Sequence, residues 1–144
     1  MKSRFRFEKL EVWQDARKIN RIIYKLTRKF PREELFAMTS QIRRATGSVS
    51  SNIAEGSGRN SDKDFAHFLE QAYGSLMEVA SILFLALDEG YLTESDAEPL
   101  FVELERLAKR IAALNRSLSV PTSKTPFTRQ SARSALGSRP STLG

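Results

Sequence analysis

The feature that most constrains the fold is a spacing of apolar residues that recurs in four segments of the chain. In each segment, apolar side chains follow steps of mainly three and four residues, which places them on one side of an α-helix. Such a stripe packs along neighbouring helices that run nearly parallel or antiparallel. The first two stripes are Val12, Ala16, Ile19, Ile23, Leu26 and Phe30, and then Leu35, Met38, Ile42, Ala45, Val49 and Ile53. The last two are Phe65, Leu69, Ala72, Leu76, Val79 and Leu83, and then Leu100, Leu104, Leu107, Ile111, Leu114 and Leu118.

The first two helices have recognisable ends. The pattern predicts a first helix from about Glu8 to Lys29, which Pro31 terminates because a residue before proline is pushed out of the α region. It predicts a second helix that starts near 32–34. Gly56 is expected to end that helix in the left-handed cap conformation, which glycine adopts without steric cost.

The last two helices carry their own boundary signals. Ser61 is the predicted N-cap of the third helix, and Gly90 is its predicted stop signal. Thr93 or Ser95 caps the fourth. Pro99 would fall in the second turn of a helix that starts at Thr93, so either a kink or an irregular first turn is expected there.

These patterns predict an all-α, antiparallel, up-down-up-down four-helix bundle over residues 1–118. Residues 119–144 are rich in Ser, Thr, Pro and Gly and carry four cations and no acidic residue. Their apolar content is too small to offset the entropy of ordering, so we predict a disordered basic tail.

Composition excludes several classes of function. The chain has no cysteine, which rules out a disulfide framework, a thiolate zinc site and a cysteine nucleophile. His67 is the single histidine, whereas a di-iron bundle needs Glu-x-x-His on two helices. No apolar run is long enough to span a bilayer, and the N-terminus lacks the apolar region of a secretory signal. We therefore predict a cytoplasmic protein without cofactor, metal or membrane partner.

The charge is distributed unevenly. Residues 1–59 hold 14 Lys or Arg against 6 Asp or Glu, whereas residues 60–118 hold 5 against 11. A basic surface of this kind suits an anionic partner such as nucleic acid. The same polarity suits self-association equally well, with the basic half of one copy against the acidic half of the next.

A basic stripe lies on the first helix, roughly opposite its apolar one. The hypothesis is phosphate contact along a nucleic-acid backbone, and an ordinary solvated helix face is the alternative. Trp13 and Tyr24 lie on the same flank and could stack on unpaired bases, but we favour subunit contacts for them because interfaces are enriched in such aromatics. The stripe comprises Arg17, Arg21, Lys25 and Arg28.

The side chains on the outward face of the second helix are unusually small. An exposed face normally carries long, helix-favouring polar residues, so small ones indicate that something packs against it. We predict a subunit contact, in which Arg44 and Glu55, too far apart to pair with each other, find partners across the boundary. The predicted interface residues on this face are Arg44, Gly47, Ser48, Ser51 and Glu55.

Several strings resemble the four-helix-bundle proteins of the 23S ribosomal RNA intervening-sequence family. The resemblance covers roughly residues 5–118 and implies a ring-like homopentamer. It also implies kinship with the accessory variability proteins of diversity-generating retroelements, which are basic bundles that bind nucleic acid and a reverse transcriptase. The strings are Phe7-Glu8-Lys9-Leu10, Val12-Trp13, Gln41, Arg43-Arg44-Ala45, Asn52-Ile53-Ala54-Glu55-Gly56, Gly58-Arg59, Phe65, Phe68-Leu69, Gly74-Ser75-Leu76 and Gly90-Tyr91-Leu92.

The resemblance adds Arg43 and Arg59 to the predicted nucleic-acid contacts. It implies no enzymatic activity. Where the family often has proline, this chain has Ser50, so any kink in the second helix is expected to be softer.

Three functions follow from these observations. The first is a non-enzymatic, homo-oligomeric bundle that binds RNA or DNA electrostatically and with little sequence preference. The second is a scaffold that docks a protein partner, such as a reverse transcriptase. The third is a nuclease. It is the weakest of the three, because some nuclease bundles have four to six residues between an Arg and a His, whereas seven residues separate Arg59 from His67.

Overall fold

Four helices account for most of the computed structural model, which describes residues 1–119. They are α1 (Glu11–Thr27), α2 (Met38–Ser57), α3 (Asp62–Asp88) and α4 (Glu94–Ser119). Short 3-10 turns at Arg6–Lys9 and Arg32–Glu34 precede α1 and α2, and the described residues contain no strand. The predicted all-α four-helix bundle is confirmed. The predicted disordered tail lies outside the described residues.

Polar contacts between α1 and α4 show that these two helices run in opposite directions. Asp15 Oδ2 lies 2.5 Å from Arg110 Nη1, and Lys18 Nζ lies 3.3 Å from Glu103 Oε1. Residues later in α1 therefore meet residues earlier in α4. The Tyr91 hydroxyl donates to Glu34 Oε1 at 3.1 Å, so the α1–α2 and α3–α4 connections lie at one end of the bundle, here called the connection end.

The core consists almost wholly of the predicted stripes. Every stripe residue of α3 and α4 is buried, as are most of those of α1 and α2. Leu35 is the exception: it is 47% exposed, so its placement in the second stripe is wrong. The α-helix begins only at Met38, after a 3-10 turn and a change of backbone direction at Ala37 (φ −121°, ψ −105°). Leu35 therefore lies outside the helical register of the stripe.

The first helix starts three residues later than predicted because local contacts hold the preceding segment in another shape. Leu10 is extended (φ −79°, ψ 125°). Before it, the Glu8 carboxylate accepts hydrogen bonds from the amides of Arg4 and Phe5. Phe7 packs on Trp13, with ring centroids 4.8 Å apart.

Gly56 does not form the predicted left-handed cap. It lies inside α2, which continues to Ser57, and Gly90 is the only residue with positive φ among those described. A Cβ built on Gly56 would lie 2.6 Å from Phe68 Cβ and 2.9 Å from Phe65 Cδ1. Glycine is thus required because α2 and α3 approach closely at this level, and not because the chain turns there.

The first helix ends at Thr27 and not at Lys29, and the second begins at Met38 and not near 32–34, whereas the boundary signals predicted for the third helix and for the start of the fourth are present. Ser61 Oγ accepts from the Asp64 amide at 3.1 Å, and Thr93 Oγ1 accepts from the Asp96 amide at 3.2 Å. Gly90 adopts φ 76°, and the amide of Tyr91 bonds back to the carbonyl of Ala86, which is the hydrogen-bond pattern of a glycine-terminated helix.

Pro99 lies inside a helix that is continuous from Glu94, so the irregular first turn is absent. None of the helices in residues 1–119 combines the length and apolar character needed to cross a bilayer.

Candidate nucleic-acid interface

The basic stripe of α1 is exposed and largely without compensating acids. Arg17, Arg21, Lys25 and the adjoining Arg28 are all solvent-exposed. Within residues 1–119, no carboxylate lies within 4 Å of any of these four. Lys18 differs, since it is paired with Glu103 of α4. The stripe is therefore a row of positive charges available to a partner.

The first cation of the stripe contacts the single tryptophan. Arg17 Cζ lies 5.6 Å from the Trp13 ring centroid, and the same ring packs on Phe7. Trp13 is half-buried. Its ring is thus engaged within its own chain, and stacking on a base would require Arg17 to move.

Arg43 and Tyr24 meet across the α1–α2 contact. The Arg43 guanidinium carbon lies 4.5 Å from the Tyr24 ring centroid. Arg43 Nε donates to Thr27 Oγ1 at 2.9 Å, and that hydroxyl donates to the carbonyl of Ile23 at 2.7 Å. The cation is held in place without a neutralising carboxylate. Both residues were predicted from the sequence to be site residues, but their contact with each other was not predicted.

A shallow cleft at the connection end adds residues that sequence analysis did not propose. Phe36 is 92% exposed beside it, and Arg44, a predicted interface residue, lines its wall with no carboxylate within 4 Å in the described chain. The only sequence signal was an apolar pair, Leu35-Phe36, directly after a charged turn. The lining residues are Tyr24, Leu35, Phe36, Thr39, Ser40, Arg43 and Arg44.

The small-residue face of α2 divides into two parts. Ser48 points toward α3, where its hydroxyl shares a 2.9 Å hydrogen bond with Ser75 and accepts from Asn52 Nδ2 at 3.0 Å. Gly47 and Ser51 lie on the open part, where a Cβ on Gly47 would meet nothing within 4 Å and Ser51 is exposed. Ser48 is therefore half-buried against α3, whereas Gly47 and Ser51 lie on the open part of the face.

Glu55 has a partner in its own chain, contrary to the prediction. Arg59 Nη2 lies 3.2 Å from Glu55 Oε1, and the Arg59 guanidinium carbon lies 4.6 Å from the Phe68 ring centroid. Both ions are solvent-exposed, so the pair contributes little stability. It does reduce the positive charge that Arg59 offers to a phosphate.

The opposite side of the bundle carries an apolar groove between α3 and α4. It has a volume of about 820 Å³, and Phe84 and Phe101 meet there with ring centroids 4.6 Å apart. Sequence analysis missed it because α3 and α4 each carry a second apolar stripe at helical spacing beside the core stripe. Those second stripes are Tyr73, Met77, Ala80, Phe84 and Leu87, and Ala97, Phe101, Ala108 and Ala112.

His67 is exposed, and its Nε2 lies 3.1 Å from Gln71 Nε2. No group of three or more potential ligands in residues 1–119 could hold a metal ion.

Tyr91 has a raised pKa. Partial burial is the larger cause, and the hydrogen bond to Glu34 is the next. Tyr91 joins the two connections and lines neither the cleft nor the groove.

The fold and these surfaces define a class: a small four-helix bundle whose distinctive features are a basic outer face and an apolar groove. Residues 8–113 match the family model described as 23S rRNA-intervening sequence protein. The chain belongs to that family, as the resemblance indicated. A comparison with curated proteins gave no match.

Proposed function

We propose that this protein is a non-enzymatic, cytoplasmic, homo-oligomeric bundle that binds RNA or DNA electrostatically. The observation that carries the proposal is the exposed row of cations Arg17, Arg21, Lys25 and Arg28 along α1 and its end, none of which has a carboxylate within 4 Å in residues 1–119. Arg44 extends the positive charge onto α2. A pentameric ring and a reverse transcriptase partner belong to the same proposal on the family resemblance alone.

The mechanism is phosphate neutralisation. Each Lys or Arg that contacts a phosphate releases condensed counterions, so the logarithm of the association constant falls linearly with the logarithm of salt concentration. Phosphate contacts carry no direct sequence information, and binding should tolerate many sequences.

The test is fluorescence anisotropy with labelled single- and double-stranded RNA and DNA across a salt series. In the stripe variant Arg17→Glu/Arg21→Glu, we expect affinity to fall at least about tenfold and the salt slope to decrease by about two. The matched control is Lys63→Glu/Arg106→Glu, which makes the same change in net charge at exposed cations on α3 and α4.

Two outcomes would contradict the proposal. One is the absence of binding at low salt. The other is equal weakening by the stripe variant and its control, which would show that net charge alone governs the interaction. Circular dichroism of each variant checks that the helices are intact.

The second candidate function is a protein-interaction scaffold, and the groove between α3 and α4 favours it. Apolar docking is not screened by salt, whereas phosphate contacts are. Association with a defined protein that persists at about 1 M salt, without any nucleic-acid binding at low salt, would support the scaffold over the first proposal.

A further inference from the structure

The groove between α3 and α4 is not an ordinary helical surface. Phe84 is 59% exposed, and the partly exposed Tyr73 and Met77 continue its apolar lining along α3. Single exposed apolar residues are normal, but a contiguous set in a concave surface marks an interaction site. A second element that covered the groove would bury these aromatic side chains, which dominate the energetics of many interfaces.

Acidic side chains line the part of the groove nearer the start of α4. Glu94, Glu98 and Glu105 border the apolar lining there. None of the three has a cation within 4 Å in residues 1–119. Lys109 and Arg116 line the groove nearer the end of α4. The part nearer the start of α4 therefore fits an occupant that is apolar at its tip and carries positive charge beside it.

The same chain displays a surface of that description. The connection patch, defined as Tyr24, Leu35, Phe36, Arg43 and Arg44, projects the nearly fully exposed Phe36 from the α1–α2 connection. Arg43 and Arg44 lie beside it without compensating carboxylates within 4 Å among the described residues. Apolar side chains in the patch match the groove lining, and its guanidinium groups match the acidic border.

The positions of the two surfaces prevent contact within one molecule. Each helix packs mainly against two neighbours in the cyclic order α1, α2, α3, α4. The α1–α2 side therefore lies opposite the α3–α4 side. Two unlike, complementary surfaces on opposite sides of one molecule produce a head-to-tail contact, which repeats into a closed ring or a filament.

We propose that the groove of one copy of this chain receives the Leu35-Phe36 corner of the next copy. The proposal rests on the self-association part of the proposed function and assigns the two surfaces that meet. A second copy is the occupant because the complementary apolar and charged groups are present in the same sequence. Arg17 and Arg21 lie more than one turn from the end of α1 and stay outside the contact.

The test uses two full-length variants, each with one surface blocked, in sedimentation velocity and light scattering. Phe84→Glu places a charge in the groove, and Phe36→Glu places one in the connection patch. Both positions are exposed in the single chain, so the fold should persist. We expect the wild type to assemble beyond a monomer and each variant alone to sediment as a monomer.

Mixing the two variants distinguishes a head-to-tail contact from any other. Each retains one intact surface, so an equimolar mixture should form a dimer with one copy of each and nothing larger. The matched control is Leu85→Glu, because Leu85 is 51% exposed on α3 but does not line the groove. It should assemble as the wild type does.

Several results would overturn the proposal. They are a monomeric wild type, a Phe36→Glu variant that assembles normally, and a mixture that gives no heterodimer. Nucleic-acid binding is measured on the same variants to separate the two proposals. A monomeric variant that still binds RNA leaves the phosphate mechanism standing, whereas a stripe variant that assembles but does not bind leaves the head-to-tail contact standing.

Discussion

Glycine occupies three unlike environments along this chain. Gly56 lies where α2 and α3 touch, Gly90 supplies a positive φ at the end of α3, and Gly47 lies on an open helix face. In the sequence the three positions look alike, because each is simply a glycine in or near a helix. The role of Gly90 was predicted correctly and that of Gly56 was not, because a chain reversal is a local property whereas a close helix–helix approach depends on the partner helix.

We predict opposite effects of alanine at two of these glycines. Gly56→Ala should lower the free energy of unfolding by about 1–3 kcal/mol, because the new methyl group collides with Phe65 and Phe68. Gly47→Ala should raise it by about 0.5–1 kcal/mol, because helix propensity improves in open space. Urea unfolding measures both, and a stabilising Gly56→Ala would refute the close-approach explanation.

The N-terminal turn should respond to acid before the bundle does. Hydrogen bonds from the amides of Phe5 and Arg4 hold the pKa of Glu8 below its ordinary 4.5. A carboxylate with a lowered pKa stabilises the folded form above its ordinary pKa, and that contribution is lost as the pH falls through the lowered value.

Trp13, the single tryptophan, reports this change because it packs on Phe7 of the same segment. We expect its emission to change as the pH falls below 4.5, the ordinary pKa of Glu8, while helical circular dichroism is retained. Glu8→Gln should show part of the change at neutral pH. An emission change that simply follows loss of helix would contradict the prediction.

At the scale of elements, the four core stripes were predictable because burial repeats with the helical period. Leu69, Leu76 and Leu107, for example, are fully buried where the spacing placed them. The groove was not predicted, although Tyr73, Met77 and Phe84 follow the same period. One apolar stripe is enough to account for the packing of a helix in a bundle. When a helix has two, the sequence alone does not show which stripe a neighbouring helix covers.

The pairing of α1 with α4 depends on one partly buried ion pair more than on the exposed one. Arg110→Met leaves Asp15, whose side chain is only 17% exposed, and the nearby Glu11 without their cation. We expect a loss of about 1–3 kcal/mol in the free energy of unfolding.

Lys18→Met removes the exposed pair with Glu103 and is the matched control. Because the Lys18 side chain is 53% exposed, its loss should cost less than about 1 kcal/mol. Equal losses in the two variants, measured by urea unfolding, would show that burial does not distinguish the pairs.

At the scale of the whole molecule, the charge difference between two parts of the sequence becomes a charge difference between two sides of the bundle. The basic first half forms α1 and α2, and the acidic second half forms α3 and α4. The uneven charge was therefore a sound guide to the candidate surfaces. The contact of Arg43 with Tyr24 and the exposure of Phe36 depend on how α1 joins α2, which no spacing in the sequence reveals.

If the groove is covered by a second copy, stability should depend on protein concentration. Binding that involves only the folded state raises the midpoint of thermal unfolding by mass action. We expect the midpoint to rise with concentration for the wild type and Leu85→Glu, and to stay constant for Phe84→Glu. Differential scanning calorimetry over about a hundredfold concentration range measures this. A constant midpoint in all three would contradict coverage of the groove.

The cyclic order of the helices also implies an order of events during folding. Ser48 and Ser75, which join α2 to α3, are 27 residues apart, whereas Asp15 and Arg110, which join α1 to α4, are 95 apart. Contacts between nearby residues close small loops and form early. In stopped-flow kinetics, Gly56→Ala should therefore slow refolding, whereas Arg110→Met should mainly speed unfolding. The seam between the first and last helices is where this bundle closes last.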